Sequence, residues 1–173
     1  IPPDPREVYP QIEVVRLRLT NSCNLRCIHC FVDAGKPLKN ELSTKEIFNL
    51  IDDLEEMKLF RLTLSGGEPL LRSDFFEIAK HAEKRRIPIS IFTNATLIND
   101  SVINNFKQLK NLRFIQLSLD GASKDTNDEV RGKGNFDMTM SRIEALHNAN
   151  IPFSIDVCIN RLNYHECDQI IDL

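Results

Sequence analysis

Features of three protein classes are missing from this sequence. It has no stripe of lysine and arginine and its net charge is −3, so we do not expect a nucleic-acid reader. The longest apolar runs are strand-sized, well short of the ~20 residues that a membrane helix needs, so no membrane contact is expected. Residues 1–10 hold four prolines and no apolar segment, so we do not expect a secretory signal peptide there. We therefore predict a cytoplasmic protein with reduced thiols.

A second pair of closely spaced cysteines is also missing, and this affects how the existing cysteines are interpreted. Three of the five, Cys23, Cys27 and Cys30, fall within eight residues. Gaps this short bend one loop so that the sulfurs can point at a common centre. Thiolates suit zinc, copper(I) or an iron–sulfur cluster. A four-iron cluster usually takes four protein ligands, so three cysteines would leave one iron open for chemistry.

Two other interpretations of the cysteines stay open. A structural zinc site needs a fourth ligand, and His29 is awkwardly placed beside Cys30 to supply it. We predict Cys158 inside a strand, buried as a small hydrophobe, and Cys167 at a helix start. These two would complete a metal site only if the fold brought them close. Disulfides are less favoured, because the cysteine count is odd and nothing suggests export.

Apolar periodicity predicts strands that alternate with helices of about ten to fifteen residues. The predicted strands cover residues 14–20, 61–65, 89–93, 114–119 and 153–159. Helices are predicted from a Ser43–Glu46 capping box, from Ser73 or Asp74, over residues 100–110, around Ile143, and from Asn163, where Glu166 follows three residues later. This order predicts an α/β fold of parallel strands joined by right-handed crossovers.

The unusual residues follow the predicted strands. The cysteine loop follows the first strand, and Gly66, Gly67 and Glu68 follow the second. Asn94 follows the third strand, and Ser118 ends the fourth. Parallel strands present their carboxyl ends on one face, and in barrels and open sheets that face carries the active site. We therefore expect these four stretches to converge.

The two glycines at the second strand end admit two interpretations. Gly66 and Gly67 let the backbone turn or approach a ligand closely, and Glu68 adds a carboxylate. An ordinary tight turn is the simplest interpretation of two adjacent glycines. Beside a three-cysteine loop a ligand cradle is favoured, because a carboxylate and backbone carbonyls suit a positive amino group.

Three further polar residues are weaker candidates for the site. Asn94 and Ser118 fit ordinary capping as well as they fit ligand binding. Arg131 could meet a carboxylate in bidentate fashion or could simply be solvated. It lies in a polar stretch, residues 122–135, for which we predict no strand or helix.

Together these motifs resemble the radical S-adenosylmethionine superfamily. The cysteine segment resembles its CxxxCxxC signature, and Gly-Gly-Glu-Pro at 66–69 matches its second motif. Thr-Asn-Ala at 93–95 and Ser-Leu-Asp-Gly at 118–121 resemble the third and fourth strand ends. Asn-Asp-Glu-Val-Arg-Gly at 127–132 resembles a segment of the branch with a C-terminal SPASM or twitch domain. That branch includes maturases of ribosomal peptides, the pyrroloquinoline quinone and mycofactocin pathway enzymes, and haem-modifying enzymes.

The resemblance implies a partial (β/α)6 TIM-like barrel, of which this chain holds about five βα units. It implies that Cys23, Cys27 and Cys30 ligate three irons of a [4Fe-4S] cluster. The amino and carboxylate groups of S-adenosylmethionine would chelate the fourth iron. Reductive cleavage would then give a 5′-deoxyadenosyl radical that removes a hydrogen atom from the substrate. The implied partners are a peptide or small-molecule substrate and an electron donor such as flavodoxin or ferredoxin.

The resemblance also implies roles for the residues at the strand ends, with some departures. The amino group of the cofactor would lie at Gly66, Gly67 and Glu68, its ribose or methionine part near Asn94 and Ser118, and its carboxylate near Arg131. His29 stands where the family often has tyrosine or phenylalanine. Ala95 replaces the usual glycine, which is expected to shift the backbone. No acid, base or hydrogen donor is identified by the sequence.

The expected organisation is an extended lead-in at residues 1–13 and a core domain at 14–173. The chain starts without methionine and stops inside an apolar helical pattern, so we expect a longer protein that supplies a sixth strand. Maturation of a ribosomal peptide or of a peptide-derived cofactor is the expected function. Modification of haem or another small cofactor by the same chemistry is an alternative, and a zinc-stabilised binding module without redox chemistry is another.

Overall fold

The computed structural model describes residues 12–173, so most of the predicted lead-in lies outside the described residues. Strands and helices alternate along the described chain, except that two helices separate the last two strands. They are β1 (Val14–Arg18), α1 (Thr44–Glu56), β2 (Arg61–Ser65), α2 (Phe75–Lys84), β3 (Ile89–Thr93), α3 (Asp100–Gln108), β4 (Leu112–Ser118), α4 (Lys124–Arg131), α5 (Asn135–Asn148), β5 (Phe153–Asp156) and α6 (Cys167–Ile171). Within residues 12–173, no helix is long and apolar enough to cross a membrane.

The five strands form one parallel sheet in the order β1-β2-β3-β4-β5. Each strand pairs with the next along the chain, as Leu17 does with Leu64 and Ile91 with Ile115. Every connection between neighbouring strands contains at least one helix. This confirms the predicted α/β class, and it brings the carboxyl ends of all five strands to one side of the molecule.

The two faces of the sheet differ in composition, because successive strand side chains point in opposite directions. One face carries fully buried aliphatic side chains, among them Leu64, Ile91 and Ile115, and packs against the helices. The helices contribute side chains such as Ile51 and Phe75 to the same core. We call this the outer face. The alternate positions form the inner face, which is more polar and borders a cavity: Arg16, Arg18, Phe92, Gln116, Ser118 and Asp156.

Two helix starts use their polar residues in different ways. At α1 the predicted capping box is present, since the Ser43 side chain accepts from the Glu46 amide and Glu46 accepts from the Ser43 amide. Asp74 precedes α2 as predicted, but its side chain does not cap the helix. It accepts instead from Arg72 and from the Thr44 hydroxyl, which ties the starts of α1 and α2 together.

The polar stretch at 122–135 contains a helix, α4, that the sequence interpretation did not predict. The Ser123 side chain accepts from the Thr126 amide at its start. Glu166, from a distant segment, accepts from the Ser123 amide and from the hydroxyls of Ser123 and Thr126. Val130 is the buried apolar residue of this helix, so the sequence has no apolar stripe from which the helix could be predicted. Caps and a long-range carboxylate hold the helix in place.

The segment after β5 corrects one prediction and confirms part of another. The strand ends at Asp156, so Cys158 lies beyond it and is exposed, instead of being buried as a small hydrophobe. The helix start predicted at Asn163 is confirmed, since a 3-10 turn begins at Tyr164 and leads into α6, but the Asn163 side chain forms no cap. The Asn163 side chain donates to the carbonyls of Asp120 and Cys158 instead. Long-range contacts use both side chains, which a local pattern cannot register.

Candidate active site

A cavity of about 370 Å³ opens where the strands end. The three clustered cysteines line it, and so do most of the other residues that the sequence singled out. The residues predicted for the site that border this space are Cys23, Cys27, Cys30, Gly66, Gly67, Asn94, Ser118 and Arg131. The predicted convergence of four distant stretches is therefore confirmed.

Backbone and side-chain amides surround the sulfurs of the cysteine loop. The Leu25 amide donates to Cys23 Sγ at 3.5 Å, and Asn94 Nδ2 approaches the same sulfur at 3.7 Å. The Ala34 amide donates to Cys30 Sγ at 3.4 Å. Hydrogen bonds to sulfur stabilise thiolates and tune the potential of an iron–sulfur cluster. These donors suit a loop whose cysteines act as ligands.

The Cys27 thiol is partly buried, as are those of Cys23 and Cys30. Burial raises the pKa of Cys27, and this outweighs the opposite effect of the nearby Arg131 guanidinium. The charges of Cys23, Asp120 and Cys30 raise the pKa further, which also records how near the three thiols lie to one another. A raised pKa keeps this thiol protonated and makes it a poor nucleophile, so a metal that binds it has to displace the proton.

The grouping of potential ligands bears on the choice between a single ion and a cluster. Within residues 12–173, no three His, Cys, Asp or Glu side chains gather closely enough to hold one metal ion. The zinc alternative therefore finds no ligand set in the described chain. A cluster binds each of its thiolate ligands to a different iron, so three cysteines that line one cavity fit it. The donors to sulfur and the shared cavity agree with that assignment.

The two glycines after β2 are required by close contact with the start of the cysteine loop. A Cβ on Gly66 would lie 2.5 Å from the Thr20 carbonyl oxygen, and one on Gly67 would lie 2.3 Å from that of Ser22. The Gly67 amide donates to the Thr20 carbonyl at 2.8 Å. Backbone therefore lies against backbone, and the glycine loop supports the cysteine loop directly.

Glu68 is placed differently from the prediction that it faces the ligand. Its side chain is fully buried and does not border the cavity. The carboxylate accepts from the Thr93 hydroxyl, the Asn94 amide and the Leu70 amide. Burial raises the pKa of Glu68 to about 7, although these three donors act in the opposite direction. Its oxygens are occupied by protein donors, so the carboxylate ties the glycine loop to the end of β3.

Asn94 supports the first cysteine from the other side. Its Nδ2 donates to Asn24 Oδ1 at 3.0 Å, and its Oδ1 accepts from the amide and hydroxyl of Thr96. Asn24 in turn donates to the Thr96 hydroxyl at 2.7 Å. This closed set of neutral hydrogen bonds fixes the Cys23 end of the loop over the end of β3.

Arg131 lies at the cavity but is engaged by a buried carboxylate. Its Nε is 2.7 Å from Asp120 Oδ2, an ion contact whose angle is poor for a hydrogen bond. Asp120 is fully buried just beyond β4, and His29 Nε2 lies 3.2 Å from the same oxygen. Ser118, the last residue of β4, borders the cavity and is partly exposed.

Several residues at the cavity were not predicted as site residues. Cys158 borders it because β5 ends early, whereas Cys167 does not. Arg16 and Arg18 face it from β1, and their alternation with apolar residues was the available signal. His29 also borders the cavity, and Asp120 lies behind it. Asp120 carried only a weak signal, since an aspartate before a glycine at a strand end also suits a plain turn.

Comparison with known proteins agrees with this geometry. The family model described as the radical SAM superfamily matches residues 17–173. The mycofactocin maturase MftC of Mycolicibacterium smegmatis is 38% identical over 156 residues, which cover 90% of this chain and 40% of that protein. The AdoMet-dependent heme synthase of Methanosarcina barkeri is 33% identical over 162 residues, which cover 92% of this chain and 46% of that protein.

Solved structures show that the similarity extends to the fold. SuiB of Streptococcus suis bound to S-adenosylmethionine superimposes with a TM-score of 0.81 at 21% identity, covering 93% of this chain and 37% of that chain. The structure of SuiB bound to the precursor peptide SuiA gives a TM-score of 0.82. The chain thus spans less than half the length of the relatives it matches. The fold is the partial TIM-like one expected from the sequence, and the chain belongs to the radical SAM superfamily.

Proposed function

We propose that this chain is the core of an enzyme that binds an iron–sulfur cluster and S-adenosylmethionine and abstracts a hydrogen atom from a peptide. The observation that supports this most is the convergence of Cys23, Cys27 and Cys30 with the glycine loop around one cavity. When bound, the reduced cluster supplies the electron that cleaves S-adenosylmethionine to methionine and a 5′-deoxyadenosyl radical. The protein's part is to position and shield these groups.

The cofactor contacts are assigned to residues that border the cavity. Cys23, Cys27 and Cys30 would each hold one iron, leaving the fourth iron for the amino and carboxylate groups of S-adenosylmethionine. Gly66 and Gly67 offer carbonyl oxygens to the amino group, since the Gly67 amide is already used by Thr20.

The remaining contacts fall to polar side chains at the ends of β3 and β4. Ser118 offers a hydroxyl at the cavity, and Arg131 offers the part of its guanidinium that Asp120 does not occupy. Asn94 holds the Cys23 end of the loop as well as bordering the cavity. Glu68 acts as a positioning residue, because its carboxylate bonds Thr93 and Asn94 instead of the cavity.

A peptide is the substrate class that the comparisons favour. One similar protein is named a maturase and another was solved with a precursor peptide. The inner face presents Arg16, Arg18 and Asp156 beside Phe92 and Gln116, a mixture of charged, aromatic and amide groups. Such a lining suits a polar chain with several kinds of side chain. An external electron donor, such as a flavodoxin or ferredoxin, completes the proposed reaction.

Modification of haem or of another small cofactor is the second candidate. It is supported by the 33% identity to the protein named AdoMet-dependent heme synthase. The two arginines on β1 would suit a carboxylate-bearing porphyrin as well as an acidic peptide. Substrate, and not the radical step, distinguishes the two candidates.

The test of the radical step uses the full-length enzyme, reconstituted with iron and sulfide without oxygen and reduced with dithionite. We expect chromatography to show 5′-deoxyadenosine formed from S-adenosylmethionine. Candidate peptides encoded beside the gene are compared with iron-coproporphyrin III, and faster product formation with one of them identifies the substrate class. If the intact cluster forms and no 5′-deoxyadenosine appears with any addition, the radical function is wrong.

The ligand assignment is tested by alanine substitution of each cysteine in the full-length protein. Replacing Cys23, Cys27 or Cys30 should abolish cluster incorporation, measured as bound iron and visible absorbance. Cys158→Ala is the matched control because that thiol borders the same cavity, and Cys167→Ala is the distant control. Both controls should retain the wild-type iron content, and loss of iron in either would contradict a three-cysteine site.

A further inference from the structure

Asp120 is the fully buried carboxylate beneath the cysteine loop, and the cofactor contacts proposed above do not use it. Its Oδ1 accepts from the Cys158 amide at 2.8 Å, whereas its Oδ2 lies 2.7 Å from Arg131 Nε and 3.2 Å from His29 Nε2, at angles that are poor for hydrogen bonds. A buried carboxylate is costly unless positive or polar groups compensate it. Asp120 therefore brings together His29 and Arg131, two side chains from separate segments.

One of those side chains belongs to the cysteine loop. His29 lies between Cys27 and Cys30, and its side chain is 21% exposed. The backbone next to it is also attached, since the Ile28 amide donates to the Val130 carbonyl at 3.0 Å. The middle of the loop is thus fixed twice, once through backbone to the end of α4 and once through a side chain to Asp120.

A simpler interpretation is that Asp120 and Arg131 form a structural ion pair and His29 only lies nearby. The placement of His29 favours a role beyond this pair, because His29 shares one carboxylate oxygen with Arg131 and sits on the loop that carries the cysteines. The other oxygen of the same carboxylate accepts from the Cys158 amide, so the orientation of the Asp120 side chain is fixed by the protein. A fixed carboxylate orients an imidazole, as it does for the histidines of many metal sites.

We propose that His29 and Asp120 are positioning residues that set the Cys27–Cys30 part of the loop, and with it the cluster. This rests on the proposed function, since it concerns how that cluster is held. Removing the contact leaves the three thiol ligands in the chain but frees the loop segment that carries two of them. The cluster then exchanges and loses iron faster, and its magnetic environment changes.

The test uses full-length protein reconstituted without oxygen. The variants are His29→Gln, Asp120→Asn and the double variant, with His147→Gln as the matched control on the exposed side of α5. The readouts are the rate of iron loss to a chelator and the electron paramagnetic resonance spectrum of the reduced cluster, each with and without S-adenosylmethionine. We expect His29→Gln to keep the wild-type melting temperature, to lose iron about tenfold faster, and to show an altered spectrum, a tenfold change being ~1.4 kcal/mol.

The double variant separates one shared contact from two independent effects. Because both residues act through the same contact, Asp120→Asn in the His29→Gln background should add little to the rate of iron loss. The proposal is overturned if His29→Gln matches His147→Gln in both readouts, or if the two substitutions are additive. Asp120→Asn alone is expected to destabilise the fold, so His29→Gln, whose side chain is partly exposed at the cavity, decides the question by itself. Failure of the wild type to hold any cluster would instead count against the proposed function.

Discussion

The outer and inner faces of the same five strands differ in polarity and in burial. Outer-face residues such as Leu64, Ile91 and Ile115 are fully buried and aliphatic. Inner-face neighbours such as Gln116 and Ser118 are polar and partly exposed around a cavity. The outer face therefore supplies most of the buried apolar core of the sheet, and the inner face offers polar groups to the cavity at the strand ends.

The largest stability effect is expected on the outer face. Ile91→Ala should lower the free energy of unfolding by about 2–5 kcal/mol, because it removes a fully buried side chain in a central strand and leaves a cavity. Gln116→Ala, on the inner face of the next strand, should change it by about 0.5 kcal/mol or less. Denaturant unfolding of the two variants measures this contrast. Equal losses would remove the distinction between the faces.

A smaller loss is expected at the boundary. Gly67→Ala places a Cβ 2.3 Å from the Ser22 carbonyl, and backbone cannot yield as a side chain can. We expect a loss of about 1–3 kcal/mol in the free energy of unfolding and a lower iron content, since the displaced backbone leads into Cys23. Gly134→Ala is the control, because its φ of 83° costs stability while its Cβ would meet nothing within 4 Å, far from the cysteine loop in sequence. If both variants retain iron equally, the glycine pair is not needed to support the cysteine loop.

The buried carboxyl of Glu68 should make stability depend on pH. Its pKa rises from the ordinary 4.5 to about 7, so between these values the folded protein binds a proton that the unfolded chain releases. The free energy of unfolding should therefore fall as pH rises from about 4.5 to about 7 and level off above, by at most about 3 kcal/mol at 1.36 kcal/mol per pKa unit. Glu68→Gln should abolish this slope.

Two measurements check the Glu68 prediction. Melting temperatures from pH 4.5 to 8 should converge or cross between wild type and Glu68→Gln instead of running parallel. Difference infrared spectroscopy should follow the protonated carboxyl band of Glu68 as it disappears near neutral pH. A band that disappears near pH 4.5 would show that the three donors outweigh burial.

The smallest change in stability is expected for a residue of the inner face, whose substitution should mainly weaken cofactor binding. Ser118→Ala removes one hydroxyl at the cavity, so the free energy of unfolding should change by about 0.5 kcal/mol or less. Loss of one hydrogen bond of about 1 kcal/mol should weaken S-adenosylmethionine binding about fivefold. Equilibrium binding to the full-length holoenzyme measures it. Unchanged affinity would remove Ser118 from the proposed contacts.

The sequence was sufficient for features that local patterns encode. The alternation of Leu62, Thr63 and Leu64 marks a strand, and the spacing of the three clustered cysteines marks a ligand loop. Parallel topology then predicted the convergence at the strand ends. What could not be predicted depends on partners far apart in sequence. Glu68 appeared to be a ligand contact until Thr93 and Asn94 were found around it.

The same limit explains the two missed features beyond β4. Helix α4 has one buried apolar residue, Val130, and is held at its start by Glu166 from a later segment. Asp120 looks like an ordinary turn residue until His29 and Arg131 are seen beside it. No periodicity records such contacts, because they are decided by which segments the fold places together.

The attachment of Ile28 and His29 to Val130 and Asp120 has a consequence for the order of events during synthesis. The cysteine loop leaves the ribosome early, whereas Asp120 and Val130 are added only after β4 has been made. Until then the loop lacks these two attachments, and its thiols are open to oxidation and to stray metals. Cluster loading is therefore expected to be post-translational or late co-translational, and delivery machinery would meet a nearly finished domain.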